Sequence, residues 1–274
     1  MRYAEDLRLG PYYRDRAAAP SASSNLVEAI PSVEKPSVKT RESSSGGRSF
    51  SSDMSGSNVS GALAPEVSRL VPVPSGPSLF DERIENDSLD RIREDIGPNC
   101  TRCKLHKART NIVFGVGDPK AELVFVGEGP GRDEDEQGEP FVGRAGKLLT
   151  QMIEAMGLRR RDVYICNVVK CRPPENRLPE KDEIATCSPY LLRQLGVIQP
   201  KVICALGSCA GQTMLNTTQG ITRFRGEWFD FHGAKFMATY HPAYLLRNPP
   251  AKSEVWKDLQ KIMAYLGLQA PKKK

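Results

Sequence analysis

ELVFVGEGPGRDEDEQGEPFVGRAGKLLTQMIEAMGL, residues 122–158, decides the fold. The apolar run ELVFVG passes into a glycine-rich turn and then into AGKLLTQMIEAMGL, where apolar residues recur at helical spacing. Strand, glycine turn and helix in this order make a cradle in which backbone N–H groups hold a phosphate or another anion. The charge of this turn contradicts an anionic guest. Residues 127–140 hold six carboxylates (Glu128, Asp133, Glu134, Asp135, Glu136 and Glu139) against one cation, Arg132.

Working outward, VYICNVV (163–169), KVICALG (201–207) and KFMATYH (235–241) read as three more buried strands. KDEIATCSPYLLRQLGV and SCAGQTMLN read as helices between them, and SLFDERIENDSLDRIREDIG (78–97) as a helix stopped by Gly97-Pro98. Strands that are apolar almost throughout, alternating with helices, imply a parallel sheet covered on both faces. Such sheets bind ligands beyond the carboxyl ends of their strands. The glycine turn, Asn167 and His241 all fall on that edge.

Residues 21–60 contain fourteen serines, scattered Pro and Gly and few aromatics. Such a segment buries too little apolar surface to offset its ordering entropy, so residues 1–80 read as a disordered extension. Residues 81–270 read as the folded domain and 271–274 as a basic tail. The formal charge is +6, with three of the positive charges in the terminal PKKK, which permits a nucleic-acid partner without demonstrating one. No apolar stretch is long enough to span a bilayer, and MRYAEDLRLGPYYRDR has no apolar h-region. The expectation is a cytoplasmic, nucleoid-associated protein whose seven cysteines are ligands or buried thiols rather than disulfides.

Cys100 and Cys103 form C-x2-C in a loop, and fifteen residues separate Cys171 from Cys187. Together these four suggest a metal or cluster site, whereas Cys166, Cys204 and Cys209 read as small buried hydrophobes. Zinc accepts four thiolates and so does a cubane iron–sulfur cluster; spacing does not choose. Either would staple the N-terminal helix and loop to the sheet.

Three blocks, GEGPGRDEDEQGEPFVGRAGKLL, NVVKCRPPENR and HPAYLLRNP, together with the cysteine framework, resemble the family 4 uracil-DNA glycosylases over about residues 85–265. The resemblance implies a three-layer α/β/α fold with a central four-stranded, mostly parallel sheet. It implies a [4Fe-4S] cluster on Cys100, Cys103, Cys171 and Cys187, and excision of uracil from single- or double-stranded DNA by a monomer. Free uracil is then the product and an abasic site remains. A related branch of the superfamily carries a catalytic aspartate at the place of Gly129, so that base is lacking here, as in family 4. Another branch carries a histidine-containing insertion and becomes trapped on its product. The cysteine segment here has none, so turnover is expected.

Under this resemblance Phe141 stacks on the extruded base, which contributes roughly 1–3 kcal/mol. Asn167 pairs with the O4/N3 edge of uracil, a pattern that cytosine reverses. His241 donates to O2 as negative charge develops, a contribution on the order of 3–4 kcal/mol. Gly127, Gly129 and Gly131 let the turn's backbone, Glu128 included, come close to the base. Glu128 and Asp135, with Glu134 as rival, are candidates to position water and to stabilise the cationic sugar. Gly143, Gly146 and Ser208 are candidates for phosphate contacts, and Leu245, Leu246 and Arg247 for a wedge entering the vacated stack. The alternatives are a glycosylase with altered base preference and a non-catalytic cluster-bearing DNA-binding module of a replication or repair complex. In either case the N-terminal extension is the segment that would recruit a repair or replication protein.

Overall fold

The computed structural model describes residues 86–270. The serine-rich stretch, the first residues of the expected N-terminal helix and the basic tail lie outside the described residues. The described helices are α1 (Leu89–Ile96), α2 (Arg132–Gln137), α3 (Arg144–Ala155), α4 (Lys181–Ile198), α5 (Ser208–Leu215), α6 (Pro242–Arg247) and α7 (Lys252–Leu266). The strands are β1 (Val116–Gly117), β2 (Leu123–Gly127), β3 (Tyr164–Asn167), β4 (Val202–Leu206), β5 (Phe229–Phe231) and β6 (Ala234–Thr239).

They form one six-stranded sheet in the order β1-β3-β2-β4-β6-β5. The four central strands are parallel, and β1 and β5 are antiparallel edges. The sequence accounts for all four parallel strands. It does not announce the edges, because two and three residues are too few to display a period.

Strand alternation divides the core in two. Leu123, Phe125, Ile165, Cys204 and Met237 face one side, under Leu149, Met152 and Ile153 of α3 and Val255, Leu259 and Ile262 of α7. Val124, Val126, Cys166, Ala205 and Phe236 face the other, under Leu191 and Leu195 of α4 and Met214 of α5. Every residue of β2, β3 and β4 is buried, which is why their sequences are apolar almost throughout. No helix among the described residues is long and apolar enough to cross a membrane.

Of the helix expected over 78–97, the described part begins at Leu89, where Ser88 caps it: its hydroxyl accepts from the Arg91 amide at 3.1 Å. Gly97, at φ 67°, ends it as expected. Arg193 of α4 holds both ends of α1, pairing with Asp87 at 2.8 Å and Asp95 at 2.7 Å. α1 and the loop that follows therefore sit against α4, where two of the four candidate cysteine ligands meet the other two.

Candidate active site at the carboxyl edge of the sheet

The parallel register places Gly127, the last residue of β2, beside Asn167, the last residue of β3. A methyl group on Gly127 would lie 2.3 Å from Asn167 Oδ1 and 2.6 Å from the Phe141 ring, so only glycine lets these groups share one floor. Phe141 is buried, with φ 55°, a left-handed conformation that a bulky residue adopts only when its surroundings enforce it. Gly146 is part of that enforcement: a Cβ there would sit 1.8 Å from the Phe141 carbonyl oxygen. The Phe141 and His241 rings lie 5.5 Å apart, tilted by 33°.

Asn167 is 1% exposed, and its Oδ1 is the one buried side-chain nitrogen or oxygen among the described residues with no hydrogen-bond partner. An orphaned buried acceptor costs about 1–3 kcal/mol, so this oxygen is a place where an incoming hydrogen-bond donor would be favoured. His241 caps α6, and its Nδ1 accepts from the Ala243 amide at 3.1 Å. A neutral ring so held carries its proton on Nε2. Burial, assisted by the Arg247 charge, lowers its pKa from 6.5 to about 4, so the imidazole is neutral at physiological pH. Gly207, at φ 93°, lies 3.0 Å from His241 Cβ at the position of its own missing Cβ and crowds the ring from the β4 side.

Phe141, Asn167 and His241, with Glu128, Gly129 and Arg247, line one cleft of about 460 Å³. The carboxylates of the acidic turn part company there. Burial raises the Glu128 carboxyl above the ordinary range. Glu134 also reaches the cleft, but its Oε2 accepts from Gly131 N at 3.1 Å and its Oε1 from Val142 N and Gly143 N at 3.0 Å. Asp135 does not line the cleft. It is 2% exposed, and its carboxylate takes the amides of Thr110 at 2.9 Å and Asn111 at 3.1 Å. The structure therefore does not bring Asp135, expected to position water, to the cleft: its oxygens serve a loop 25 residues upstream.

The expected DNA contacts also divide. Leu245, expected in the wedge, is fully buried in the core beside α3, whereas Leu246 is 39% exposed and Arg247 lines the cleft. The Gly143 amide is already given to Glu134, and Gly146 is a buried position packed tight against the Phe141 backbone. Ser208 remains at the start of α5, half-buried on the carboxyl edge. Gly129 would place a Cβ 2.8 Å from Val169, which explains why a side chain does not fit there.

Sequence reading passes over Gly207, Tyr244 and Lys170. For Gly207 the signal is present, a glycine between a strand and a helix. Lys170 shows only as a cation after an apolar run; it is fully buried, donating to the Asn167 carbonyl at 2.8 Å and to Gln194 Oε1 at 2.6 Å.

Cys100, Cys103, Cys171 and Cys187 surround a second, small cavity. Donors point at three of the sulfurs: Arg102 to Cys100 at 3.5 Å, Arg109 to Cys171 at 3.4 Å and the Lys170 amide to Cys187 at 3.3 Å. Among the described residues, no group of three or more His, Cys, Asp or Glu is placed to hold a single metal ion. Cys166 and Cys204 are buried strand residues, as their sequence context implies, whereas Cys209 is only half-buried.

The fold and cleft define the class: an α/β/α protein whose carboxyl edge gathers an aromatic ring, a buried carboxamide and a neutral imidazole in one cleft. The family model of the uracil DNA glycosylase superfamily matches residues 114–260. The type-4 uracil-DNA glycosylase of Archaeoglobus fulgidus is 49% identical over 195 residues, 68% of this chain and 96% of the relative. That of Thermotoga maritima is 48% identical over 184 residues, 66% of this chain and 96% of the relative. A type-5 uracil-DNA glycosylase of Pyrobaculum aerophilum is 31% identical over 149 residues, 48% of this chain and 66% of the relative. The chain belongs to the type-4 uracil-DNA glycosylases of the uracil DNA glycosylase superfamily.

Proposed function

We propose that this chain excises uracil from DNA by hydrolysing the bond between uracil N1 and the sugar C1′, the base-removal step of base excision repair. The observation that carries the reading is the orphaned Asn167 Oδ1, buried beside the Phe141 ring. It is an acceptor for uracil N3–H, and the Nδ2 of the same carboxamide is a donor for O4. Cytosine offers an acceptor at N3 and a donor at C4, so it meets the amide with both polarities reversed. Phe141 supplies the stacking face.

As the glycosidic bond breaks, its electron pair passes to the uracil ring and charge develops on O2. The Nε2–H of His241 is the donor for that charge, and a neutral donor stabilises the anion without protonating it. The sugar left behind is cationic at C1′. Glu128 faces it with a carboxylate and holds the water whose oxygen bonds to C1′; the proton that this water loses passes to the carboxylate and then to the departed uracil anion, leaving an abasic site. Asp135 and Glu134 serve instead as braces of the loops around the cleft. Ser208, Leu246 and Arg247 are the remaining candidates for contacts with DNA. The substrate is uracil-containing DNA, and free uracil is the product.

The four cysteines suit a [4Fe-4S] cluster. The thiols surround a volume rather than converge on one point, and N–H donors aimed at sulfur favour the thiolates that such a cluster requires. When bound, the cluster supplies iron–thiolate bonds that tie the 100–103 loop to the segment from Cys171 to Cys187. Protein purified without oxygen is expected to be brown with broad visible absorbance; a colourless protein with stoichiometric zinc would overturn this assignment.

The deciding assay uses an end-labelled single-stranded oligonucleotide with one uracil, treated with alkali after incubation. Strand breaks at the uracil position that disappear with His241→Ala establish the reaction. Retention of the oligonucleotide without breaks would mark a binding module instead.

A further inference from the structure

Leu178 is the most exposed of the large hydrophobic side chains among the described residues, at 68%. Two of the other three, Tyr244 and Leu246, belong to α6. Leu178 and Tyr244 line the same cleft that holds Asn167 and His241. Isolated exposed leucines are ordinary; apolar side chains gathered at the mouth of one polar cleft are not. The strand order explains the gathering. The loop after β3 carries Leu178 and the segment after β6 carries α6, and these two strands bracket β2 and β4, with the glycine turn between.

Leu178 is not exposed because its loop is loose. Glu175 and Asn176 both hold φ near 55°, which a glutamate adopts only under constraint. Arg172 Nε donates to Asn176 Oδ1 at 2.8 Å. Arg177 forks onto Glu183, a carboxylate with no exposure, at 2.8 and 2.7 Å, and donates to the Leu178 carbonyl at 2.9 Å. Pro179, buried, follows. Cys171 and Cys187 lie on either side of this segment, so the thiol site and the Arg177–Glu183 pair together hold an apolar side chain out into water.

We propose that Leu178 is a second DNA-probing residue, packing on the nucleobase next to the extruded uracil, on the lip opposite Leu246 and Tyr244. This rests on the reading of the cleft as a uracil site. An extruded nucleotide leaves two exposed base faces behind it, one on each side of the gap. The flat apolar surface of a base is the part of DNA that a leucine, unlike an arginine, recognises. The segment between the third and fourth cysteines then has a task of its own, the rigid presentation of that side chain.

The test compares the full chain with Leu178→Ala and Leu178→Phe on a duplex with uracil opposite guanine. Affinity is measured separately on the same duplex carrying a 2′-fluorinated, hydrolysis-resistant uracil nucleotide. Leu178→Ala is expected to lower kcat/KM and affinity by about tenfold, with an unchanged thermal midpoint, and Leu178→Phe to stay within about threefold of wild type. A loss below about twofold in both measurements, or one that Leu178→Phe does not restore, overturns the contact. If no form releases uracil yet Leu178→Ala still binds about tenfold more weakly, the catalytic reading fails and the contact stands.

Discussion

Asn167 and Cys171 stand four residues apart on one stretch of chain, and their surroundings obey opposite rules. Around Cys171 the protein supplies its own partners: Arg109 to its sulfur, the Lys170 amide to Cys187 and Arg102 to Cys100. Around Asn167 it withholds one, leaving Oδ1 buried and unpaired. Lys170 joins the two regions, its ammonium fully buried and bonded to the Asn167 carbonyl and to Gln194, with burial driving its pKa down. On the proposed reading the closed region holds the open one in place, because a satisfied carboxamide would have nothing left with which to read a base.

The strongest way to break this contrast is to reverse the polarity of the open group. Asn167→Asp is expected to lower uracil excision by on the order of a thousandfold or more, since the amide donor to O4 becomes an acceptor. Single-turnover assays on uracil and cytosine oligonucleotides check it; near-normal uracil release would remove Asn167 from the reading role. Next comes the imidazole. His241→Ala is expected to slow the chemical step about a hundred- to a thousandfold with little change in affinity, as an electrostatic donor should.

Gly127→Ala tests whether the floor of the cleft is as tight as it looks. Its Cβ must displace the Asn167 oxygen or the Phe141 ring, and a misplacement of that size is expected to cost about a hundredfold in kcat. The four-thiol site should retain its cluster absorbance, since nothing in that region moves.

The smallest effects sharpen the contrast among carboxylates. Glu128→Gln is expected to lose about tenfold to a hundredfold in rate. Burial raises the Glu128 pKa, so the working carboxylate form is lost as pH falls through a value above the ordinary carboxylate range, and the rate falls with it. Glu128→Gln should flatten that acidic limb. His241 does not produce it, because its pKa, lowered to about 4, keeps it neutral across the same interval. Asp135→Asn should instead leave the rate within a few-fold while destabilising the fold by about 1–3 kcal/mol, since it weakens a buried acceptor of backbone amides. A rate loss without loss of stability would return Asp135 to the chemistry.

Much of this was readable along the chain. The apolar runs of β2, β3, β4 and β6 fix the parallel core because a doubly covered strand must be apolar on both faces. Strand ends place the glycine turn, Asn167 and His241 on one rim because parallel strands share one carboxyl edge. The edge strands β1 and β5 were not readable, being too short to carry a pattern.

The sequence by itself determined the strand–turn–helix unit, the rim and the set of four thiols, since each depends on residue type and local period. It offered six carboxylates in the acidic turn and could not rank them. Tertiary structure assigned Asp135 to the 110–111 loop and Glu134 to Gly131, Val142 and Gly143, buried Leu245 beneath its exposed neighbour, and fixed the proton of His241 on Nε2. The reason is common to all of these. A polar or apolar group takes its role from the partners that surround it, and those partners are brought there by the packing of distant segments or by the geometry of a cap.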